Sequence, residues 1–331
     1  MNANRVHILD FLADRVLLCD GGMGSESLAR SVEVERDFWS QLNFTDSLCL
    51  SRPDLVRDIH RAHLRAGADA VETNSFAGSP LSLAAFGFAG RCHELNRRAA
   101  EIAREAIELC SEAGRPRFVL GAVGPGDRFP SLGQVAVEAL THAYAEQCAG
   151  LLAGGVDAIL IETCQDLLQI EAAIGGACSA GAGRDIPIFV QVTTEAHGGL
   201  LLGADLAAVA DLLRGQPVPL LGLNCAAGPA GMAAPLRSLA CQWDGLLSVQ
   251  PSAGIPELGA GRPCYPIGAD EFTLWQERFV GEFGANLIGG CCGTDGTHIA
   301  ALDAMLRRLA LDGYRPRPYR VGSPAAPASR R

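Results

Sequence analysis

Eight short apolar runs recur along the chain: VLLCD at 16–20, AVET at 70–73, FVLGAV at 118–123, AILIET at 158–163, IFVQVT at 188–193, LLGLNC at 220–225, LLSVQP at 246–251 and NLIGG at 286–290. None alternates strictly between apolar and polar positions. Short runs of this kind, rich in Val, Ile and Leu, suit parallel strands covered on both faces. Helical periodicity fills the gaps. SRPDLVRDIHRAHLRA at 51–66 sets Leu55, Ile59 and Ala62 on one face, with Pro53 near its start, Ser51 three residues before Asp54 as a capping pair, and Gly67 as a stop. Similar patterns cover about 91–112, 136–153, 166–180, 204–214, 229–241, 270–284 and 296–310. Alternation of this kind predicts one α/β domain, a closed (β/α)8 or TIM barrel. An open doubly wound sheet competes, but DGGMG at 20–24 lacks the G-x-G-x-x-G spacing that such a sheet needs for a nucleotide. The barrel is assigned to 15–312, with an N-terminal capping helix in 1–14 and a flexible Pro- and Arg-rich tail over 313–331.

Composition narrows the function more than the fold. The chain has 331 residues, is 48% hydrophobic and 19% charged, and so has ample material for a large core. Its net charge of −10 is mixed along the chain with no basic stripe, which argues against nucleic acid and for a small-molecule partner. Asp10 and Asp14 interrupt the apolar N-terminus, and no run reaches the length of a membrane span, so neither a signal peptide nor membrane insertion is expected. The expected setting is the cytoplasm, where the twelve cysteines stay reduced. Of these, Cys49, Cys92, Cys110, Cys148, Cys178, Cys241 and Cys264 read as buried thiols. His60, His63, His142 and His298 lie on expected helices and read as core or surface residues. Asp58-Ile59-His60 begins like a cobalamin-binding D-x-H-x-x-G signature, but His63 stands where its glycine belongs.

The unusual residues gather just after the expected strands, and the loops at strand C-termini form the active face of such a barrel. They are Asp20-Gly21-Gly22, Glu72-Thr73-Asn74, Gly124-Pro125, Glu162, Asn224-Cys225 and Cys291-Cys292. The strands that end at Cys225 and at Cys291-Cys292 are separated by one strand around the ring, so three sulfurs can converge. Gly289, Gly290 and Gly293 allow the torsions that aim the adjacent pair inward. Three thiolates select a soft metal such as Zn2+, and the fourth tetrahedral position left open marks a catalytic site. The alternative is a pair of buried or redox-active thiols at a glycine turn. A zinc site of this kind is suited to holding and deprotonating a thiol substrate that then attacks an electrophilic carbon. Asp20 and Glu162 are candidates for an amino-acid ammonium, and Gly21 and Gly22 for its carboxylate; helix capping or an arginine partner is the competing role for the two acids. Glu72 and Asn224 complete the candidate substrate-binding set.

From about Arg15 to Leu309 the chain resembles the homocysteine S-methyltransferase family, most closely the homocysteine-binding module of cobalamin-dependent methionine synthase. The resemblance rests on DGGMG at 20, ETNSF at 72, GPGD at 124, ETCQD at 162, GLNCA at 222, PSAG at 251 and GGCCGT at 289, in that order. It implies a (β/α)8 barrel, zinc held by Cys225, Cys291 and Cys292, L-homocysteine thiolate as fourth ligand, and Asp20 and Glu162 receiving the substrate amino group. Ser25 stands where many relatives have Thr, and Cys164-Gln165 where relatives often place a bulky residue; Cys164 as a fourth sulfur ligand would block substrate. The modules that supply folate and cobalamin in methionine synthase do not follow this barrel, so the methyl donor is expected from outside. The favoured donor is a separate cobalamin-binding protein charged from methyltetrahydrofolate; S-methylmethionine, S-adenosylmethionine or betaine serve sister branches. A non-catalytic thiol- or zinc-binding barrel that docks on a corrinoid protein is the alternative of another class.

Overall fold

The computed structural model describes residues 6–30, 32–41, 43–110, 115–195, 198–259 and 262–318. Its strands are β1 (Leu17–Leu18), β2 (Ala70–Glu72), β3 (Phe118–Val123), β4 (Ala158–Cys164), β5 (Ile188–Val192), β6 (Leu220–Cys225), β7 (Leu246–Pro251), β8 (Glu257–Gly259), β9 (Arg262–Cys264) and β10 (Leu287–Ile288). Eight of them form one sheet in the order β1-β10-β7-β6-β5-β4-β3-β2, parallel throughout. Closure between β1 and β2 uses a side chain. Asp69 N donates to Leu18 O at 2.6 Å, while Leu18 N donates to Asp69 Oδ2 at 3.2 Å. The carboxylate thus takes the place of a ladder carbonyl where two short strands diverge, and the expected TIM barrel closes.

Helices Pro53–Ala66, Cys92–Leu109, Val137–Gly154, Leu167–Ala180, Leu206–Leu213, Pro229–Gln242, Ala269–Phe283 and Gly296–Leu311 surround the sheet, near their expected positions. The first begins at Pro53 and stops at Gly67 with φ +115°, but Ser51 does not cap it. Ser51 Oγ instead donates to Asp37 O at 2.6 Å and Ser47 O at 3.1 Å, because a short helix, Leu48–Ser51, runs straight into this one. Two features had no apolar pattern to announce them. One is the excursion of short helices between β1 and Pro53; the other is the antiparallel pair β8–β9.

Side chains inside the barrel divide into layers. Leu17, Cys19, Ala70, Phe118, Leu120, Ala158, Leu160, Phe189, Leu220, Leu246 and Leu287 pack with Ile8, Phe11 and Leu12 of the helix Ile8–Asp14, which therefore closes the end where the strands begin. Burial of each large apolar side chain contributes about 1.5–3 kcal/mol. Toward the strand C-termini the interior becomes polar, with Glu72, Glu162, Gln191, Asn224, Ser248 and Gln250. The lower layers hold the barrel together, and the upper layer is what the mouth presents to a ligand. Among the described residues no helix is long and apolar enough to cross a membrane. Residues 319–331, most of the expected tail, lie outside the described residues.

The excursion after β1 is tied to the β2 loop by Asn74 Nδ2, which donates to Thr45 O at 2.8 Å, and by Asp46 Oδ1, which accepts from Ala77 N at 2.9 Å. Burial pushes the Asp46 carboxyl up to about 6. The folded chain then binds this proton more tightly than the unfolded chain does, so the ionised form costs stability as pH rises from about 4 through 6. Asp46→Asn keeps an acceptor for Ala77 and removes the charge. Urea denaturation is expected to show the variant ahead of the parent by up to roughly 3 kcal/mol at pH 7.5 and by less at pH 5. A gap that does not change with pH contradicts the assignment.

Candidate active site at the barrel mouth

Cys225 ends β6, and Cys291 and Cys292 follow β10. β7 lies between these strands, and its exit stitches their ends together: Ser252 N donates to Cys225 O at 3.0 Å, Cys291 N to Pro251 O at 2.9 Å, and Ala253 N to Cys292 O at 2.8 Å. The three Sγ atoms lie within 4.8 Å of one another, with Cys291 and Cys292 4.0 Å apart. Sulfur ligands of a tetrahedral ion, at ~2.3 Å each, stand about 3.8 Å from one another, so this donor set fits a soft divalent metal. Cys292 is exposed and the other two are half-buried, which leaves one side of the cluster open.

The unusual torsions are not where the glycines suggested. Cys225 and Ala226 have φ +63° and +51°, whereas neither Cys291 nor Cys292 has positive φ. Such a backbone is costly for a residue with Cβ and aims Cys225 back over the strand end. Gly293 does need its freedom, with φ +80° and a would-be Cβ 2.0 Å from the Tyr265 ring. Gly290 lacks room for a side chain because Thr294 Oγ1 would stand 2.1 Å away. Three thiols in contact share one negative charge. S–H donation from Cys291 and Cys292 pushes Cys225 down to about 3, and the same contact raises Cys291 and lifts Cys292 up to about 11. Ser252 Oγ adds a donor 3.7 Å from Cys225 Sγ.

Beside the sulfurs stand three carboxylates, Asp20 and Glu162 buried and Glu72 half-buried. Glu162 Oε2 accepts from Asn224 Nδ2 at 3.0 Å. The same Nδ2 donates to Thr163 Oγ1 at 2.8 Å, and Asn224 Oδ1 accepts from Thr163 N at 2.9 Å. Asn224 thereby straps down Thr163, a β-branched residue at φ +59°, and commits both of its donors to β4. Asp20 accepts from Glu72 N with both oxygens, at 3.2 and 3.1 Å, across the seam between β1 and β2. Glu72 Oε1 accepts from Gln250 Nε2 at 2.7 Å. Burial raises all three acids, and Glu72 adds to the rise of both Asp20 and Glu162. The nearest basic groups to Asp20 are His60 and His63, at 3.9 Å, and burial holds them neutral, down to about 3 and about 4. Among the described residues no arginine pairs with Asp20, Glu72 or Glu162, so the cluster is suited to an incoming cation.

Gly21 and Gly22 sit against Thr294: Gly22 N donates to Thr294 O at 3.1 Å, and a Cβ on Gly21 would meet Thr294 Oγ1 at 2.8 Å. Cys164 is buried in the outer apolar layer with Tyr144 and takes no part in the sulfur cluster. The thiols of Cys49, Cys92 and Cys148 are buried as expected, but Cys178, Cys241 and Cys264 are exposed. His298 caps the last helix through Asp295. Ser252, Tyr265, Thr294, Gln191 and Gln250 carry no metal-ligand spacing, and only their places at or near strand ends could have drawn attention to them.

The homocysteine S-methyltransferase family model matches residues 17–306. The chain belongs to that family. It is 41% identical over 304 residues to methionine synthase of Mycobacterium tuberculosis and 40% identical over 312 residues to that of Mycobacterium leprae, covering 91% and 94% of this chain. It spans about a quarter of the length of those relatives, 25% and 26%. Among solved structures it resembles the metallated form of the homocysteine methyltransferase MmuM from Escherichia coli, with a TM-score of 0.70, 28% identity, and coverage of 88% of this chain and 96% of that one.

Proposed function

We propose that the chain transfers a methyl group to the sulfur of L-homocysteine, forming methionine, and that Cys225, Cys291 and Cys292 hold a zinc ion for this purpose. The observation that carries the reading is the meeting of three sulfurs with two buried acids, Asp20 and Glu162, and the half-buried Glu72, none with a cationic partner among the described residues. When bound, zinc supplies the charge that turns the substrate thiol into a thiolate at neutral pH. Glu162 and Glu72, with Asp20 behind them, take the substrate ammonium, and Asn224 Nδ2 holds one Glu162 oxygen in place. Gly21 and Gly22 offer backbone N–H to the carboxylate, Gly22 sharing its own with Thr294. Held between these groups, the sulfur forms its new S–CH3 bond as the donor's bond to that methyl breaks and the donor keeps the electron pair.

A methyl donor carried by a separate cobalamin-binding protein, charged from methyltetrahydrofolate, is the favoured source. Exposed apolar side chains follow the C-terminal ends of several barrel strands: Phe76, Leu132, Leu201, Ile255 and Leu258, the last 91% exposed. An apolar rim of this kind suits docking of another protein surface. The chain is similar both to methionine synthases and to a homocysteine methyltransferase, and a small-molecule donor such as S-methylmethionine is the second reading. A cluster of reduced thiols such as Cys225, Cys291 and Cys292 suits a reducing cytoplasm. Zinc-loaded protein is to be incubated with homocysteine and, in parallel, methylcobalamin, S-methylmethionine, S-adenosylmethionine or betaine. Methionine is the expected product with one of them; none with any donor, including a charged corrinoid protein, would favour a non-catalytic thiol-binding barrel.

A further inference from the structure

Gln191 lies inside the barrel, fully buried, and nothing in the metal or ammonium chemistry calls for an amide at that point. In register across the sheet it stands beside Gly222 on β6, which in turn stands beside Ser248 on β7. Gly222 has no side chain to spare room for: a Cβ there would meet Ser248 Oγ at 1.9 Å and Ser248 O at 2.2 Å. The gap lets Gln191 reach across β6. Its Nε2 donates to Gln250 Oε1 at 2.6 Å and to Ser248 Oγ at 3.1 Å, and Gln250 Nε2 donates onward to Glu72 Oε1 at 2.7 Å.

The chain of amides has a direction. A terminal amide can turn over and exchange its oxygen for its nitrogen, and Gln250 taken alone would be free to do so. Turned over, it would set its NH2 against the NH2 of Gln191 and its oxygen against the Glu72 carboxylate, two repulsive contacts in a dry interior. Gln191 therefore locks Gln250 as a donor. Glu72 Oε1 accepts from Gln250 and from Cys19 Sγ at 3.6 Å, while its Oε2 has no hydrogen bond among the described residues and is left for a ligand.

We propose that Gln191 is a positioning residue: by fixing the direction of the Gln250 amide across the gap at Gly222, it holds Glu72 turned as an acceptor for the substrate ammonium. The inference rests on the reading that Glu72 receives that ammonium. It concerns binding of the amino group alone, so metal content and affinity for a thiol without an amino group should not depend on it.

The test is titration calorimetry of zinc-loaded parent, Gln191→Met, Gln191→Glu and Glu72→Gln with homocysteine and with 4-mercaptobutanoate, which is homocysteine without its amino group. Gln191→Met is expected to weaken homocysteine about tenfold and to leave 4-mercaptobutanoate within twofold, with zinc content unchanged. Gln191→Glu, which presents only acceptors and invites Gln250 to turn over, is expected to weaken homocysteine at least as much; it keeps the test in hand should the Met variant fail to fold. The double variant Gln191→Met with Glu72→Gln is expected to bind homocysteine no more weakly than Glu72→Gln alone. If Glu72→Gln weakens homocysteine while both Gln191 variants bind it as the parent does, the positioning role is overturned. If Glu72→Gln itself leaves homocysteine unaffected, the ammonium reading fails first. Equal weakening of both ligands by Gln191→Met would assign Gln191 to general packing and likewise overturn the proposal.

Discussion

Cys292→Ala is expected to purify folded but with less than about one-tenth of an equivalent of zinc, and to lose methionine formation by at least about a thousandfold. Its side chain is exposed, so little packing is lost, and two sulfurs remain in a site that fits three. Without the metal only a few per cent of a free alkyl thiol is ionised near neutral pH, and nothing anchors the sulfur where the donor can reach it. Cys164→Ala is the contrast. That thiol is buried in the outer layer away from the sulfur cluster, so the variant should keep its zinc and turnover and lose some thermal stability. Metal analysis and melting curves of the two proteins separate the roles. A Cys292→Ala protein that keeps both zinc and activity would remove that residue from the ligand set.

Glu162→Gln is expected to weaken homocysteine binding roughly a hundredfold or more, because it deletes a buried carboxylate from a cluster that has no cation of its own among the described residues. The fold should survive, since a glutamine oxygen can still accept from Asn224 Nδ2. The pH dependence carries a sign. Burial, and then Glu72, Cys225 and Asp20, raise the Glu162 carboxyl in the free protein, so an ammonium ligand must first draw its proton off. Affinity for homocysteine should accordingly rise with pH through that raised value in the parent and rise less steeply in the variant. Calorimetry across pH reads both effects, and parallel pH profiles for parent and variant would remove Glu162 from the ammonium site.

Much of this architecture was legible because parallel strands covered on both faces leave unbroken apolar runs, as at 118–123, 158–163 and 246–251, and because helices between them carry a repeating apolar face. β1 and β10 keep only two residues each in the ladder, yet their runs still marked them. The hairpin β8–β9 and the short helices after β1 escaped notice, since they lie outside the barrel ladder and obey no barrel periodicity. In the site, the neighbouring positions of β6, β7 and β10 followed from barrel topology once the strands were placed. The strain did not. Glycines around Cys291 and Cys292 drew attention to that turn, while the left-handed residues are Cys225, Ala226 and Thr163, which no composition rule singles out. The role of Asn224 as a strap and of Gln191 as a cross-strand donor depends on which side chains share a layer, and layers exist only after closure.

X-ray absorption at the zinc edge tests the central assignment most directly. Anaerobically purified protein should carry one zinc with three sulfur neighbours and one lighter neighbour, and addition of homocysteine should raise the sulfur count to four. A protein that stays metal-free when offered zinc, or a sulfur count that homocysteine leaves unchanged, would contradict the account.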